Sequence, residues 1–215
     1  MRLNLPVIEA TLRRVQREFD GIQRALGTPR DLMSGAVIDN VVAGYALLDT
    51  LMAHGTDPLA MGNLKQLLEL NTVVLCGTSA ERRAAHALHV AATERRFYDD
   101  RAAGIEDLMD WYALHIEEPV WLRAAGVYLR VLATPQLFIE GNHRTGALMM
   151  SWVLARNGQP PFVLSVDNAV AYFKVSASIR DLVKGSATAF FRNSAPRRRL
   201  ADLLAVHADR RYLLA

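Results

Sequence analysis

Thr134-Pro135-Gln136-Leu137-Phe138-Ile139-Glu140-Gly141-Asn142-His143-Arg144-Thr145-Gly146 is a polar turn set between two apolar helical runs. Tyr128–Ala133 closes the first run, and Ala147–Ala155 carries the second. Gly141 and Gly146 permit tight turning and close backbone approach. The amides that open the following helix have no intrahelical acceptor and lie at the positive end of its dipole. Arg144 adds a guanidinium able to hold two oxygens at once. Together these groups make a seat for phosphate. Glu140 is placed to hold a divalent cation that bridges phosphate oxygens. The same residues also admit a plainer reading, with Asn142 as a helix N-cap, Arg144 as a surface ion-pair partner and Gly141 as an ordinary turn residue.

Outward from the turn, the pattern is helical almost everywhere. Pro6 precedes an amphipathic run, Val7–Leu26, whose stripe is Val7, Ile8, Leu12, Val15, Phe19, Ile22 and Leu26. Gly27-Thr28-Pro29 breaks it. A second helix is predicted from Leu32 to about His54, and a third over Leu59–Leu75. Thr78-Ser79-Ala80-Glu81 has the spacing of an N-terminal cap ahead of Arg82–Ala91. Thr93–Ala103 is the least helical portion of the first half, and Gly104–His115 resumes the pattern. Val120–Ala133 is apolar nearly all round, as expected of a central buried helix carrying the turn. Asn157-Gly158-Gln159-Pro160-Pro161 reads as a C-cap with a proline stop. Further helices are predicted over Asp167–Arg180, Leu182–Phe191 and, after Pro196, Arg197–Leu214. Strand-type alternation is almost absent, so the fold class is all-α with at most a short hairpin.

The chain has 215 residues, 51% hydrophobic and 22% charged, which fits one domain with a substantial core over 1–215. No stretch reaches the roughly 18 consecutive apolar residues of a membrane span, and no secretory leader is evident. Cys76 is the only cysteine, and it sits in an apolar run as a buried inert thiol would. A cytoplasmic protein is expected. The net charge is +3, and the basic residues form small sets such as Arg82-Arg83 and Arg197-Arg198-Arg199. Aromatics do not interleave with them, so solvated helix faces fit better than a nucleic-acid platform. His86 and His89 share a helix face with Glu94 downstream, but no further ligand completes a zinc set.

Phe138-x-Glu140-Gly141-Asn142-x-Arg144-Thr145-Gly146 resembles the signature loop of the Fic/Doc (Fido) family, His-Pro-Phe-x-(Asp/Glu)-Gly-Asn-Gly-Arg-x-x-Arg. The resemblance extends over about Leu67–Tyr172, with the loop as its specific part. It implies a Fic-like helical domain with N-terminal helices over 7–54 and a C-terminal helix over 197–214. Such proteins are mostly enzymes that move AMP from ATP to a hydroxyl side chain of another protein. Carried over, Phe138 is the buried aromatic anchor and Glu140 the Mg²⁺ ligand, while Gly141, Asn142, His143, Arg144, Thr145 and Gly146 surround the phosphates. The pattern's leading histidine, the general base, falls on Gln136; its proline becomes Leu137, its second glycine His143 and its closing arginine Ala147.

Glutamine cannot accept a proton near neutral pH, so the base is lost. His143 is a candidate substitute base, although ligand contact or a solvated loop position suits it as well. By the same resemblance, Arg96-Phe97-Tyr98-Asp99-Asp100 would form a flap, with Phe97 and Tyr98 over the loop, docking a target's backbone by strand addition. The residues alone permit an ordinary exposed loop. Met33-Ser34-Gly35-Ala36-Val37-Ile38-Asp39-Asn40 is a degraded version of the family's inhibitory (Ser/Thr)-x-x-x-Glu-(Gly/Asn) helix, with Asp39 and Asn40 at its acid end. With the closing arginine replaced by Ala147, Asp39 is as readily a solvent-facing carboxylate. The implied ligands are Mg²⁺ and a nucleotide, ATP or another diphosphate-linked donor. The implied partner is a target protein, with a homodimer also in view. Three functions follow: a Fic-type transferase with altered or weak activity, a Fic-fold pseudoenzyme that binds or regulates, and an arginine-based nucleic-acid partner.

Overall fold

The computed structural model describes residues 1–28, 30–99, 101, 103–184 and 189–214, with the backbone only over 189–194. Short β1 (Arg2–Leu3) leads into α1 (Leu5–Leu26), where Ile8, Leu12, Val15, Phe19 and Ile22 turn one stripe inward. Gly27, at φ 68°, ends α1 by donating its N–H to Gln23 O. Next come α2 (Gly35–Ala53), capped by the Ser34 hydroxyl on Val37 N–H, and α3 (Lys65–Cys76). They are followed by α4 (Ala80–Ala85), α5 (Ala87–Phe97), α6 (Ile105–Leu114), α7 (Val120–Leu132) and α8 (Asn142–Arg156). The chain finishes with α9 (Val166–Arg180), α10 (Ala189–Val206), a 3-10 turn at Arg210–Tyr212 and β2 (Leu213–Leu214).

The fold is all-α, and its centre is the α7–α8 pair joined by the polar turn. Both helices are buried along most of their length, from Arg123 to Leu129 in α7 and from Leu148 to Ala155 in α8. Helices α2 and α3 cover α8, while α9 and α10 cover α7. Helix α1 closes the bundle against α2 and α9. Two glycines set how near neighbours come. A Cβ on Gly44 of α2 would stand 2.4 Å from Leu148 Cδ1, and one on Gly126 of α7 would stand 1.9 Å from the Trp111 ring of α6. Those contacts exist only because the glycines have no side chain. Helix α2 is also long and apolar enough to cross a membrane by length and composition; here Ile38, Tyr45 and Leu48 lie in the shared core.

Several boundaries differ from the expected ones, each for a local reason. Helix α8 starts at Asn142 rather than Ala147, because Gly141 alone makes the turn and Gly146 packs inside the helix against Tyr128. Helix α3 starts at Lys65 rather than Leu59, because the Asp57 carboxylate accepts from Leu59 N–H and Asn63 bonds Asp57 O. The helix expected at Leu182–Phe191 is absent at its start, where Val183 bridges Thr134; residues 185–188 of it lie outside the described residues. The C-terminal helix begins earlier, at Ala189 with Pro196 inside it, and stops at Val206. Asp209 then accepts from Arg211 N–H, and the chain returns to pair Leu213 with Leu3 and Leu214 with Arg2. Asp49 of α2 fastens this corner, taking the Arg2 guanidinium at 2.6 Å and Leu3 N–H at 2.8 Å.

Gly126→Ala should destabilise the protein by about 1–3 kcal/mol, since the new methyl displaces the Trp111 ring. Gly21→Ala, with nothing within 4 Å of its Cβ in mid-α1, should instead stabilise by about 0.5–1 kcal/mol. Urea unfolding of both variants checks the pair.

Candidate functional site

The turn is built before any ligand need be considered. Helix α7 ends at Leu132, and Leu137 N–H reaches back to Val131 O at 3.0 Å. Leu137 and Phe138 then enter the core, Phe138 being 1% exposed. The Phe138 ring stacks on Phe97 at the end of α5, with centroids 5.6 Å apart and planes 18° from parallel. Gly141 follows at φ 76°, a conformation that other residues avoid. Its missing Cβ would also stand 3.0 Å from the Asn71 side-chain nitrogen.

Asn142 shapes the turn from within. Its Oδ1 accepts from Phe138 N–H at 2.9 Å, and its Nδ2 donates to Phe138 O at 2.8 Å and to Gln136 Oε1 at 3.1 Å. Asn71 of α3 clamps it from outside, donating to Glu140 O and to Thr145 Oγ1, both at 3.0 Å. Both asparagines are buried, at 4% and 1% exposure. Thr145 N–H bonds Gly141 O at 2.9 Å and Gly146 lies against Tyr128, so neither of these two candidates faces a ligand. The amides of Gly141, Asn142, His143 and Arg144 have no acceptor among the described residues. Of the candidate phosphate contacts, these four amides have their hydrogens uncommitted among the described residues, whereas the Asn142 side chain is occupied by its own turn.

Arg144 and Asn40 converge on the last carbonyls of α3. Arg144 Nη1 donates to Val74 O at 3.0 Å, and Asn40 Nδ2 donates to Val74 O at 3.3 Å and Leu75 O at 3.2 Å. Helix C-termini leave such carbonyls free, and these side chains satisfy them. One end of the Arg144 guanidinium is thereby pinned; burial lowers its pKa, while Asp31 and Glu140 act the other way. Glu140 is exposed, one residue before the turn. Gln136, half-buried, also gives its backbone carbonyl to Arg96.

His143 turns into the bundle rather than outward. Its Nδ1 lies 3.1 Å from the Tyr128 hydroxyl and 3.3 Å from the Ser176 hydroxyl, and Tyr172 donates to Tyr128 at 3.0 Å. Nδ1 is thus enclosed by two core hydroxyls, each able to exchange a hydrogen bond with the neutral ring. Burial pushes the His143 pKa down to about 4, with Arg30, Arg180 and Arg144 adding to the shift and Asp31 opposing it. So weak a base, with Nδ1 enclosed by core hydroxyls, is poorly suited to taking a proton at neutral pH.

The remaining candidates lie elsewhere. Asp39 is exposed on α2 and pairs with Arg13 of α1. The extended flap expected over Arg96–Asp100 is replaced by helix: α5 runs to Phe97, which is buried, and Tyr98 caps it at 43% exposure. The stacking of Phe97 on Phe138 holds that segment in the core; Asp100 lies outside the described residues. His86 caps the break between α4 and α5, with Nδ1 2.8 Å from Arg82 O, and no group of three metal-binding side chains occurs among the described residues. Asn71 and the Tyr128–Tyr172–Ser176 hydroxyls were not expected as site groups, and Arg96, expected in a flap, donates instead to the Gln136 carbonyl. A lone asparagine inside the apolar run Leu70–Leu75 was the visible signal for the first.

No protein-family model matches the chain, and no curated protein matches it. Among solved structures it is similar to a Fic domain-containing signaling protein from Bacteroides thetaiotaomicron, at 14% identity and a TM-score of 0.47, over 94% of this chain and 87% of that one. At that distance the likeness carries no inference about function.

The His143 environment sets a pH dependence. Its folded pKa, about 4, lies below the ordinary 6.5, so the unfolded chain binds more protons between these values and stability rises with pH across them. The contribution is complete above pH 6.5 and disappears as pH falls toward 4. Between about pH 7.5 and 5 the wild type should lose about 2 kcal/mol more stability than His143→Gln, measured by urea unfolding at each pH.

Proposed function

We propose that this chain is a divergent Fic-type module that seats the phosphates of a nucleotide or another diphosphate-linked compound on the first turn of α8. The carrying observation is the set of four amides at Gly141–Arg144, without an acceptor among the described residues, beside the Arg144 guanidinium and the Glu140 carboxylate. The order of residues in the turn, Phe138-x-Glu140-Gly141-Asn142-x-Arg144, supports the family reading.

Mg²⁺ fits this arrangement in one way. Glu140 offers a single exposed carboxylate whose backbone is held by Asn71, and no protein cluster competes for the ion among the described residues. Magnesium is commonly held by one or two carboxylates together with phosphate oxygens. Bound there, it would offset phosphate charge. The chain's own groups do the rest: amides and Arg144 orient the phosphates, and Asn142 keeps the amides in place.

Proton removal from an acceptor hydroxyl is the missing part. Gln136 has no basic group, and its side-chain oxygen is already held by Asn142. Loss of a general base lowers a rate by roughly 100- to 10,000-fold. AMP transfer is therefore weak in the native chain. A second reading, a pseudoenzyme that binds phosphate without transfer, is favoured by that same Gln136–Asn142 bond and by the buried, neutral His143.

Titration calorimetry with ATP, ADP and a CDP-linked compound in the presence of Mg²⁺ should give binding for at least one of them. Arg144→Gln should weaken it by about tenfold or more, a loss typical of a charged hydrogen bond. Absence of heat with all three, in a chain that melts normally, contradicts the proposal. Gln136→His should raise labelled AMP transfer by about 100-fold or more. If that variant binds nucleotide yet stays silent, the pseudoenzyme reading replaces the transferase one.

A further inference from the structure

A cavity of about 220 Å³ opens beside the same turn, between α1, α2, α8, α9 and the segment before α2. Its walls are apolar, with Phe19, Met33, Val41, Leu148, Phe162 and Phe173 among them. Two tyrosines that line it present rings rather than hydroxyls, because Tyr45 donates to Phe162 O and Tyr172 to Tyr128. Water inside such walls would find few partners.

One side of the cavity has a different character. Arg30, Asp31, His143 and Arg144 line it together, so two guanidiniums face one carboxylate and a neutral imidazole. Both arginines bond backbone carbonyls rather than carboxylates, Arg30 on Phe173 O at 3.2 Å and Arg144 on Val74 O at 3.0 Å. The buried Arg30 Nε has no partner among the described residues. His143 and Arg144 are also two of the four residues whose amides open α8. An inorganic anion would leave the apolar volume unfilled, and a hydrocarbon would leave the guanidiniums unanswered.

We infer that the ligand of this site is a small amphipathic phosphate, its anionic head against Arg144 and Arg30 and a short apolar group inside the cavity. This rests on the phosphate seat proposed above and narrows it to a ligand class. A cavity of about 150 Å³ accommodates benzene, so this one suits roughly a six-carbon chain or a substituted aromatic ring.

The test is a calorimetric series of methyl, butyl and hexyl phosphate, each below its micelle concentration, with hexanol as the headless control. Each methylene that enters the cavity should tighten binding by about two- to fourfold, so hexyl phosphate, five methylenes longer, should bind at least about 30-fold tighter than methyl phosphate. Val41→Phe, which fills the cavity, should remove the chain-length gain and leave methyl phosphate affinity unchanged. Ala147→Leu fills it from the α8 side and serves if the first variant melts abnormally. An affinity independent of chain length, with methyl phosphate or a nucleotide still binding, overturns this inference and leaves the phosphate seat standing. Hexanol binding as tightly as hexyl phosphate overturns the amphipathic assignment. No binding by any phosphate or nucleotide removes the seat itself, and this inference with it.

Discussion

The Asn142 side chain closes on the backbone of Phe138 from both directions, accepting from its N–H and donating to its C=O. Everything the site can do depends on that closure. It folds the turn back on itself, sets Phe138 between the loop and Phe97, and leaves Gly141 to start α8 in a left-handed conformation. A helix begun in this way has its first amides directed away from the chain. An aspartate at position 142 would keep the acceptor and lose the donor, leaving the buried Phe138 carbonyl without its partner. The consequence for the proposed binding is specific: Asn142 contributes to it through the turn it holds and its backbone N–H, its side chain being taken by Phe138 and Gln136.

The groups that might handle a proton are each committed to holding structure. Gln136 has an amide where a base would be needed, and that amide is bonded to Asn142. His143 is neutral and keeps Nδ1 among the Tyr128 and Ser176 hydroxyls. On the proposed reading, recognition of negative charge is left to the fixed dipoles of the first turn and to Arg144, which the α3 carbonyl keeps in place. Beside it, Val37, Val41 and Ala147 leave an apolar space. A site rich in anion donors and poor in bases holds a phosphate far better than it activates a hydroxyl.

Much of the fold was legible because helical periodicity is a strong signal where one face is buried. The stripe Ile8–Ile22 and the nearly uniform apolar run of α7 are such cases, and both helices lie where the pattern put them. The failures come from local contacts and turns, side chains bonding to backbone at Asp57 and Asp209 and a left-handed glycine at Gly141. Asp57 delays α3, Gly141 advances α8, and Asp209 ends the C-terminal helix early so that the chain termini can pair. Periodicity carries no information about such contacts. In the site, the turn and Arg144 could be read from residue type and spacing. The role of Asn142 could not, because N-cap, ligand contact and turn closure use the same amide. Nor could the inward rotation of His143, which depends on Tyr128, Tyr172 and Ser176, fifteen and more residues away in sequence. Neither the flap nor the loop that Arg96–Asp100 permits reveals that Phe97 ends α5, because its partner Phe138 lies 41 residues on.

The central claim is that the amides of Gly141–Arg144 form an anion seat shaped by the Asn142 turn. Amide NMR shifts recorded while pyrophosphate and Mg²⁺ are titrated into ¹⁵N-labelled protein test it most directly. The account predicts that the largest, saturable shifts fall on Gly141, Asn142, His143 and Arg144, and that Asn142→Asp abolishes them. Shifts confined to the exposed arginine sets, or an unmoved first turn of α8 at saturating pyrophosphate, would contradict it.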